Sequence, residues 1–539
     1  MPELVPASAL ALDVSRVPLV TPAHAAQVPQ TLHVSMKFTC GKTHFHGGIF
    51  VLRTHLRLAV VTLVLLFSLI PHSLNAQISQ KPAAFGIPQA PPLVGDTTAL
   101  ALEAQNWLVD LIKINTTNPP GNEQAAAKYI AGVLAKEGIQ AELLDLTPGR
   151  SAVVARLRSS AVADPARALL LVAHMDVVGV DRSKWSVDPF GGVVKDGCIW
   201  GRGSIDDKSM LAANLAAFIA LKRGGVHINR DIIFLGTADE EQFGDASMKM
   251  VIAKYWDKIA SGFAINEGGQ VVVKGGKVQY VAVQVSEKVS VNVELTATGK
   301  GGHSSTPTKD NPVVHVAAAV DKIGNYTAPV HLTSIVRRYF EGLAPLEDEE
   351  TSKWLRVVDT PDRGEHAQRY LSDASPMWNS MMRDTVAPTI LQAGIRANVI
   401  PSDAHATINI RLVPGDTIDV FVNDLKKLVN DPQIRWDISL DGGFAAPNSS
   451  LDTDFYSLIT KVSAQEFGGA PVLPFMSTGA TDSAQLRLHN VQAYGLRPMP
   501  LSEEDQRRVH GDDERLPMSS FAKGVDCLVH IVAEFSVNK

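Results

Sequence analysis

His174 and Asp176 stand two residues apart where an apolar run, LVAHMDVV (Leu171 to Val178), comes to its end. A second acidic cluster follows in GRGSIDDK (Gly201 to Lys208), which carries Asp206 and Asp207. A third, TADEE (Thr237 to Glu241), comes directly after the apolar run DIIFLG and ends in Glu240 and Glu241. A further carboxylate, Glu267, closes FAINEGG. Imidazole and carboxylate groups delivered to one rim by several strand ends are what a hard or borderline divalent cation requires. One such cluster is ordinary for a solvated loop. Four in order, each after a strand-like run, point to a metal centre.

The runs between these clusters say what must position them. From about Thr97 the pattern is helical (ALALEAQNWLVDLIKI), breaks at NTTNPPGNE and resumes as EQAAAKYIAGVLAKEG, with Gly138 as a C-cap. Apolar strands then alternate with helices: SAVVARL, ALLLVAH, the helix SMLAANLAAFIALKR, DIIFLGTA and FAINEG. Near-continuous apolar strands with intervening helices predict a doubly wound α/β sheet, whose sites form at the carboxyl ends of its strands. At about Ser286 the pattern changes to alternating, half-exposed strands (SVNVELTATG, TINIRLVPG, IRWDISL) with helices at VVHVAAAVDKIGN and IDVFVNDLKKLVN. That order predicts a small α+β domain, interrupted by a polar helical insert over roughly Ser334 to Thr389. From about Asp452 the first character returns. The expected organisation is therefore a leader and tether over 1–96, a first catalytic part over 97–286, an inserted lid over 287–441 and a second catalytic part over 442–539.

At 539 residues the chain can bury more than one core, in keeping with two domains. Its 50 basic and 56 acidic residues, net −6, offer no excess positive charge for nucleic acid or an anionic membrane. Within the leader, Arg53 and Arg57 precede AVVTLVLLFSLI (Ala59 to Ile70), and the small residue Ala76 follows in PHSLNAQ. This reads as a secretory signal peptide over about 53–76, its apolar run too short for a comfortable membrane span. Signal peptides start near the initiator, so true initiation is read downstream, at Met36 for instance. The expectation is an exported protein, periplasmic or secreted; an uncleaved N-terminal anchor is the alternative. Cys40, His44 and His46 make a metal-like tract in the leader, read as an unstructured or untranslated stretch. Cys198 and Cys527 lie in the mature part, and their spacing does not decide whether they pair.

HMD, GRGSIDDK, ADEE, NEGG, GGHSSTP, ANVIP and a late HGDDE together resemble the co-catalytic di-zinc exopeptidases and deacylases. That group includes aminoacylase, carnosinase, acetylornithine deacetylase, succinyl-diaminopimelate desuccinylase and glutamate carboxypeptidase. The likeness runs from about Thr97 to the C-terminus. The long lid insert makes the layout most similar to carboxypeptidase S and the N-acyl-amino-acid hydrolases. The resemblance implies a zinc-exopeptidase-type α/β sheet with an inserted α+β lid, and two Zn2+ per chain, with Co2+ or Mn2+ as substitutes.

Carried over by position, the resemblance implies one zinc on His174 and Glu267, the other on Glu241 and His510, and Asp206 bridging. Three carboxylates and two imidazoles would leave the pair with a formal charge of +1, which a bound hydroxide would cancel; metal binding can lower a water's pKa to about 7. Glu240 resembles the general base, and Asp176 would hold and polarise His174 through its other ring nitrogen. Asp207 follows the bridging residue across a peptide bond that is commonly cis in the family. His303 in GKGGHSS resembles an oxyanion donor, Asn398 in ANVIP its support, and Arg411 in TINIRLVPG a clamp for a free α-carboxylate. His489, in RLHN, is the rival to His510 but sits in an ordinary turn. Asp482, in MSTGATDSA, is read as structural. The implied function is hydrolysis of an amide next to a free carboxylate, in dipeptides, short peptides or N-acyl amino acids. A catalytically silent binding protein on the same fold is the alternative. The oligomeric state stays open: a homodimer through the lid is one option, and the alternative is that the insert over roughly Ser334 to Thr389 covers that face and His303 acts within its own chain.

Overall fold

The computed structural model describes residues 95–439 and 445–537, so the signal-peptide run and the Cys40–His46 tract lie outside the described residues. The apolar hexapeptide Leu169–His174 forms a strand buried at every position. Its side chains divide by the two-residue period of a strand: Leu169, Leu171 and Ala173 enter one core, Leu170 and Val172 another. A strand can be apolar on both sides only when both faces of its sheet are covered. Here the helices Thr98–Lys113, Lys208–Arg223 and Met518–Val537 pack together on one face, and Met248–Ile259 lies on the other.

The sheet has ten strands. From one edge the order is Ala141–Thr147, Arg150–Leu157, Ile232–Thr237, Leu169–His174, Phe263–Asn266, Gln492–Gly495, Lys277–Glu287, Gln270–Lys274 and Pro500–Ser502, with Val472–Ser477 also pairing on Lys277–Glu287. Leu169–His174 runs parallel to both Ile232–Thr237 and Phe263–Asn266. Parallel pairing puts the carboxyl ends of these three strands on one rim. His174, Glu240, Glu241 and Glu267 are there for that reason.

The second layer is a four-stranded antiparallel sheet, in the order Thr385–Ala393, Asp403–Leu412, Val289–Thr298 and Ile434–Ser439. Burial along Asp403–Leu412 alternates strictly, and the inward side chains join the helices Pro312–Gly324 and Ile418–Val429 in a separate core. This α+β layer falls where the lid is expected in the chain.

The chain crosses from one layer to the other at a single residue, Lys288, between Lys277–Glu287 and Val289–Thr298. Its buried ammonium donates to the carbonyls of Ser380 and Arg383 and to Thr385 Oγ1, where the helical insert rejoins the lid. The insert comprises Ser334–Leu343, Glu349–Arg356, Gly364–Ala374 and Pro376–Met382. Tyr339, Phe340, Leu355, Leu371 and Met382 place it in the large core of the main sheet rather than in the lid core. Tyr339 also shares a 2.9 Å hydrogen bond with Tyr280 of the main sheet. The helices stop at Met382, short of the expected Thr389, because the β-branched Thr385, Val386, Thr389 and Ile390 instead form the lid's edge strand. Cys198 and Cys527 are free thiols.

Candidate metal centre

The strand Leu169–His174 delivers its last residue to the rim with the imidazole 2% exposed. His174 Nδ1 lies 3.0 Å from the carbonyl oxygen of Asp176, a contact that places the ring proton on Nδ1 and frees Nε2. Nε2 is 3.2 Å from Asp206 Oδ1 and 4.0 Å from Glu267 Oε1. The second imidazole comes from the far end of the chain: His510 Nε2 is 3.3 Å from Asp206 Oδ2 and 3.2 Å from Glu241 Oε2. Asp206 therefore faces one histidine with each oxygen. The structure also brings Glu240 into the cluster: ligand atoms of His174, Glu240 and Glu267 lie within 4.8 Å of one another, as do those of His174, Asp206 and Glu241.

Asp206 precedes the helix Lys208–Arg223, and the Asp206–Asp207 peptide is cis. Lys208, fully buried, donates to the carbonyls of Leu111 and Ile114, tying this turn to the end of Thr98–Lys113. Asp176 works from beneath. Its carboxylate accepts the backbone N–H groups of Glu240 and Glu241, each at 3.1 Å, and the amide of Asn118 at 2.8 Å. Asn118 also donates to Asp239, which has φ +61° and carries an ion pair to Arg150; Arg150 is in turn paired with Glu123. A non-glycine residue in the left-handed region is a costly conformation retained where surrounding bonds over-determine it.

Burial, reinforced by the charge of Glu267, pushes the Glu240 carboxyl well above the usual range. Burial and the charge of Asp206 do the same to Glu267. Burial works against ionisation of Asp206 too, but its hydrogen bonds to His174 and His510 outweigh it and hold the pKa low. Hydrogen bonds to Asp206 and Glu241 raise His510 to about 10. Glu241 Oε1 and both carboxylate oxygens of Asp207 are buried with no hydrogen-bond partner. So many buried carboxylates, with oxygens left unpaired, need positive charge between them. The donor set of imidazole nitrogen and carboxylate oxygen suits divalent metal ions, and its division about Asp206 suits two.

The remaining expected residues lie on the lid. Arg411 sits in the strand Asp403–Leu412, its Nε donating to Asn409 at 3.0 Å. Burial lowers its pKa, and the Glu240 carboxylate partly offsets that, so the two charges feel each other across the layers. His303 and Asn398 occupy adjoining exposed segments: Ser304 N–H donates to the Asn398 carbonyl, and His303 Nδ1 pairs with Ser305 Oγ. His489 stacks near Trp256, ring centres 5.0 Å apart, with no part in the cluster. Asp482 accepts from Thr237 Oγ1 at 2.9 Å behind the rim.

A family model described as Peptidase family M20/M25/M40 matches residues 170–534. The chain belongs to this family. It is thus a metallohydrolase of the peptidase and amidohydrolase type. Among its relatives is the probable carboxypeptidase S-like 2 of Dictyostelium discoideum, 30% identical over 383 residues, covering 68% of this chain and 71% of that protein. Another is the N-fatty-acyl-amino acid synthase/hydrolase PM20D1 of Xenopus tropicalis, 31% identical over 378 residues, 67% of this chain and 71% of that protein. In three dimensions the M20 family metallo-carboxypeptidase Sso-CP2 of Sulfolobus solfataricus superposes with a TM-score of 0.63 at 21% identity, over 80% of this chain and 99% of that one. Human carnosine dipeptidase 1 gives 0.58 at 16% identity, over 81% of this chain and 96% of that one.

Two residues that brace the cluster were not legible as such. Asn118 stands in NPPG, which signals a helix stop and nothing about Asp176. Glu514 stands inside HGDDE, but only the fold shows that its carboxylate points back to the loop of Asp206.

Proposed function

We propose that this M20 protein is a di-zinc hydrolase that cleaves an amide bond adjacent to a free carboxylate, in dipeptides, short peptides or N-acyl amino acids. The observation that carries the reading is the placement of Asp206 between His174 and His510, with Glu267 beside the first and Glu241 beside the second. His174 and Glu267 would hold one ion and Glu241 and His510 the other, with Asp206 shared between them. Bound there, zinc would acidify a water and polarise the scissile carbonyl.

Glu240 would be the group that takes a proton from the attacking water and delivers one to the leaving amine. Asp176 fixes the backbone of Glu240 and Glu241 and, through its carbonyl, the ring of His174. Arg411, with its fork of donors on the lid, binds the substrate carboxylate; the influence of the Glu240 charge on Arg411 supports a reach toward the same cleft. His303 is the oxyanion donor, supported by Asn398. His303 is exposed, and so are Ile390 and Leu391 on the lid's edge strand, which supports a homodimer through that edge. Recovery of activity on mixing His303→Ala with Glu240→Ala protein would mean that the donor comes from the other copy.

The deciding experiment measures hydrolysis of matched pairs, each an N-acyl amino acid or dipeptide and its C-terminal amide, with zinc added. Cleavage of the free acids alone is expected; equal cleavage of acid and amide would overturn carboxylate recognition. Export through the segment 53–76 belongs to the same reading, and an intact N-terminus ahead of Ala59 on exported protein would refute cleavage there.

A further inference from the structure

The five ligands proposed above are not held equally. His174 ends a central strand, Glu267 follows the strand Phe263–Asn266, and Glu241 stands on a backbone capped by Asp176. His510 has no such support. It lies in a turn, its backbone is left-handed at φ +58°, and its side chain is 51% exposed. Asp206 is likewise in a turn segment, ahead of a helix.

One buried ion pair joins these two turns. The Glu514 carboxylate, fully buried, accepts the backbone N–H groups of Ile205 at 2.7 Å and Asp206 at 3.2 Å on Oε1, and that of Gly203 at 3.1 Å on Oε2. Oε2 also accepts from Arg202 Nη1 at 2.6 Å. Arg202 Nη2 then donates to the carbonyls of Gly511, at 2.9 Å, and His510, at 3.3 Å. The Glu514 carbonyl closes the circuit by accepting the Gly201 N–H at 2.9 Å. So the backbone of the Asp206 turn hangs on Glu514, and the backbone of His510 hangs on the guanidinium that Glu514 neutralises.

We infer that Glu514 and Arg202 are a positioning pair that sets the separation of His510 from Asp206, and with it the affinity of the ion shared by Asp206, Glu241 and His510. The inference rests on the two-ion reading of the site. The other ion has His174 and Glu267 on strand ends and depends on the pair only through Asp206. Supporting groups of this kind change metal affinity by roughly 10–100-fold when lost. In Glu514→Gln the shape is kept, but an amide NH2 faces N–H donors on one side of the carboxyl position.

The test titrates the purified full chain with Zn2+ against a chelating indicator, with circular dichroism to check folding. The wild type is expected to take two ions. Glu514→Gln is expected to keep one close to wild-type affinity and to hold the second about 10–100-fold more weakly. Arg202→Lys, which keeps the charge but loses the fork to the two carbonyls, is expected to loosen the same ion by a smaller factor, and it decides the matter should Glu514→Gln not fold. Two ions bound by both variants as in wild type, or both ions loosened equally, would overturn the positioning role. Fewer than two ions in the wild type would instead overturn the two-ion site itself.

Discussion

Asp176 accepts the backbone N–H of Glu240 at 3.1 Å on one carboxylate oxygen, so the proposed base is oriented by a residue that shares no bond with its side chain. Two consequences separate. Glu240→Gln leaves that backbone contact in place and should lower kcat by about 10²–10⁴-fold with metal content unchanged. Asp176→Ala removes the carboxylate that holds the backbone of Glu240 and Glu241 and the amide of Asn118, while keeping the carbonyl that meets His174, and should weaken metal binding by about 10–100-fold as well. Activity assays beside metal analysis check both; an active Glu240→Gln protein would remove it from the base role.

His510 and His489 are exchanged candidates only on paper. His510 sits between Asp206 and Glu241, whereas His489 stacks near Trp256. His510→Ala should lose one of two bound ions and nearly all turnover, and His489→Ala should keep both ions and wild-type rates. Metal stoichiometry of the two variants tests this, and a deficient His489→Ala protein would speak against the assignment.

Arg411→Lys keeps the positive charge and loses the planar fork that a carboxylate matches with two bonds. The expected result is a rise in KM for free-acid substrates and a loss of at least about tenfold in acid-over-amide discrimination, equivalent to roughly 1.4 kcal/mol. Unchanged discrimination would free Arg411 of the clamp role.

Glu466 joins the helix Asp454–Glu466 to the C-terminal helix through His530, at 2.6 Å, and Lys523. The hydrogen bond from His530 leads in lowering its pKa from 4.5 to about 2, so its contribution is present above pH 4.5 and fades as pH falls toward 2. His530 is raised above 6.5 by the same bond; its share is full below pH 6.5 and is lost as pH climbs through the raised value. Glu466→Gln should therefore cost most between about pH 4.5 and 6.5, on the order of 1 kcal/mol after solvent screening, and nothing near pH 2. Thermal melts across pH check the shape. A deficit constant from pH 2 to pH 8 would contradict it.

Much of the centre could be read from local sequence because each strand-end ligand follows an apolar run. Leu169–Ala173 and Ile232–Gly236 are buried on both sides, and a buried strand in an α/β sheet has few places to end. The polar residue after it must face the rim. The same argument fails for His510, which follows no such run, and there only the resemblance of HGDDE separated it from His489.

The sequence by itself determined the central apolar strands, the main helices between them and the residues at the ends of those strands, because periodicity and burial act over neighbouring residues. Tertiary structure alone decided what lies between distant segments. It placed Asp206 between two histidines far apart in the chain, set Asn118 against Asp176, closed the Glu514–Arg202 pair across the two turns and laid the insert's Tyr339 and Phe340 in the main core. A carboxylate reads the same in sequence whether it meets water, a guanidinium or a metal ion. Its partner is chosen by the burial that folding imposes, which leaves a buried carboxylate either to be paired or to take up a proton.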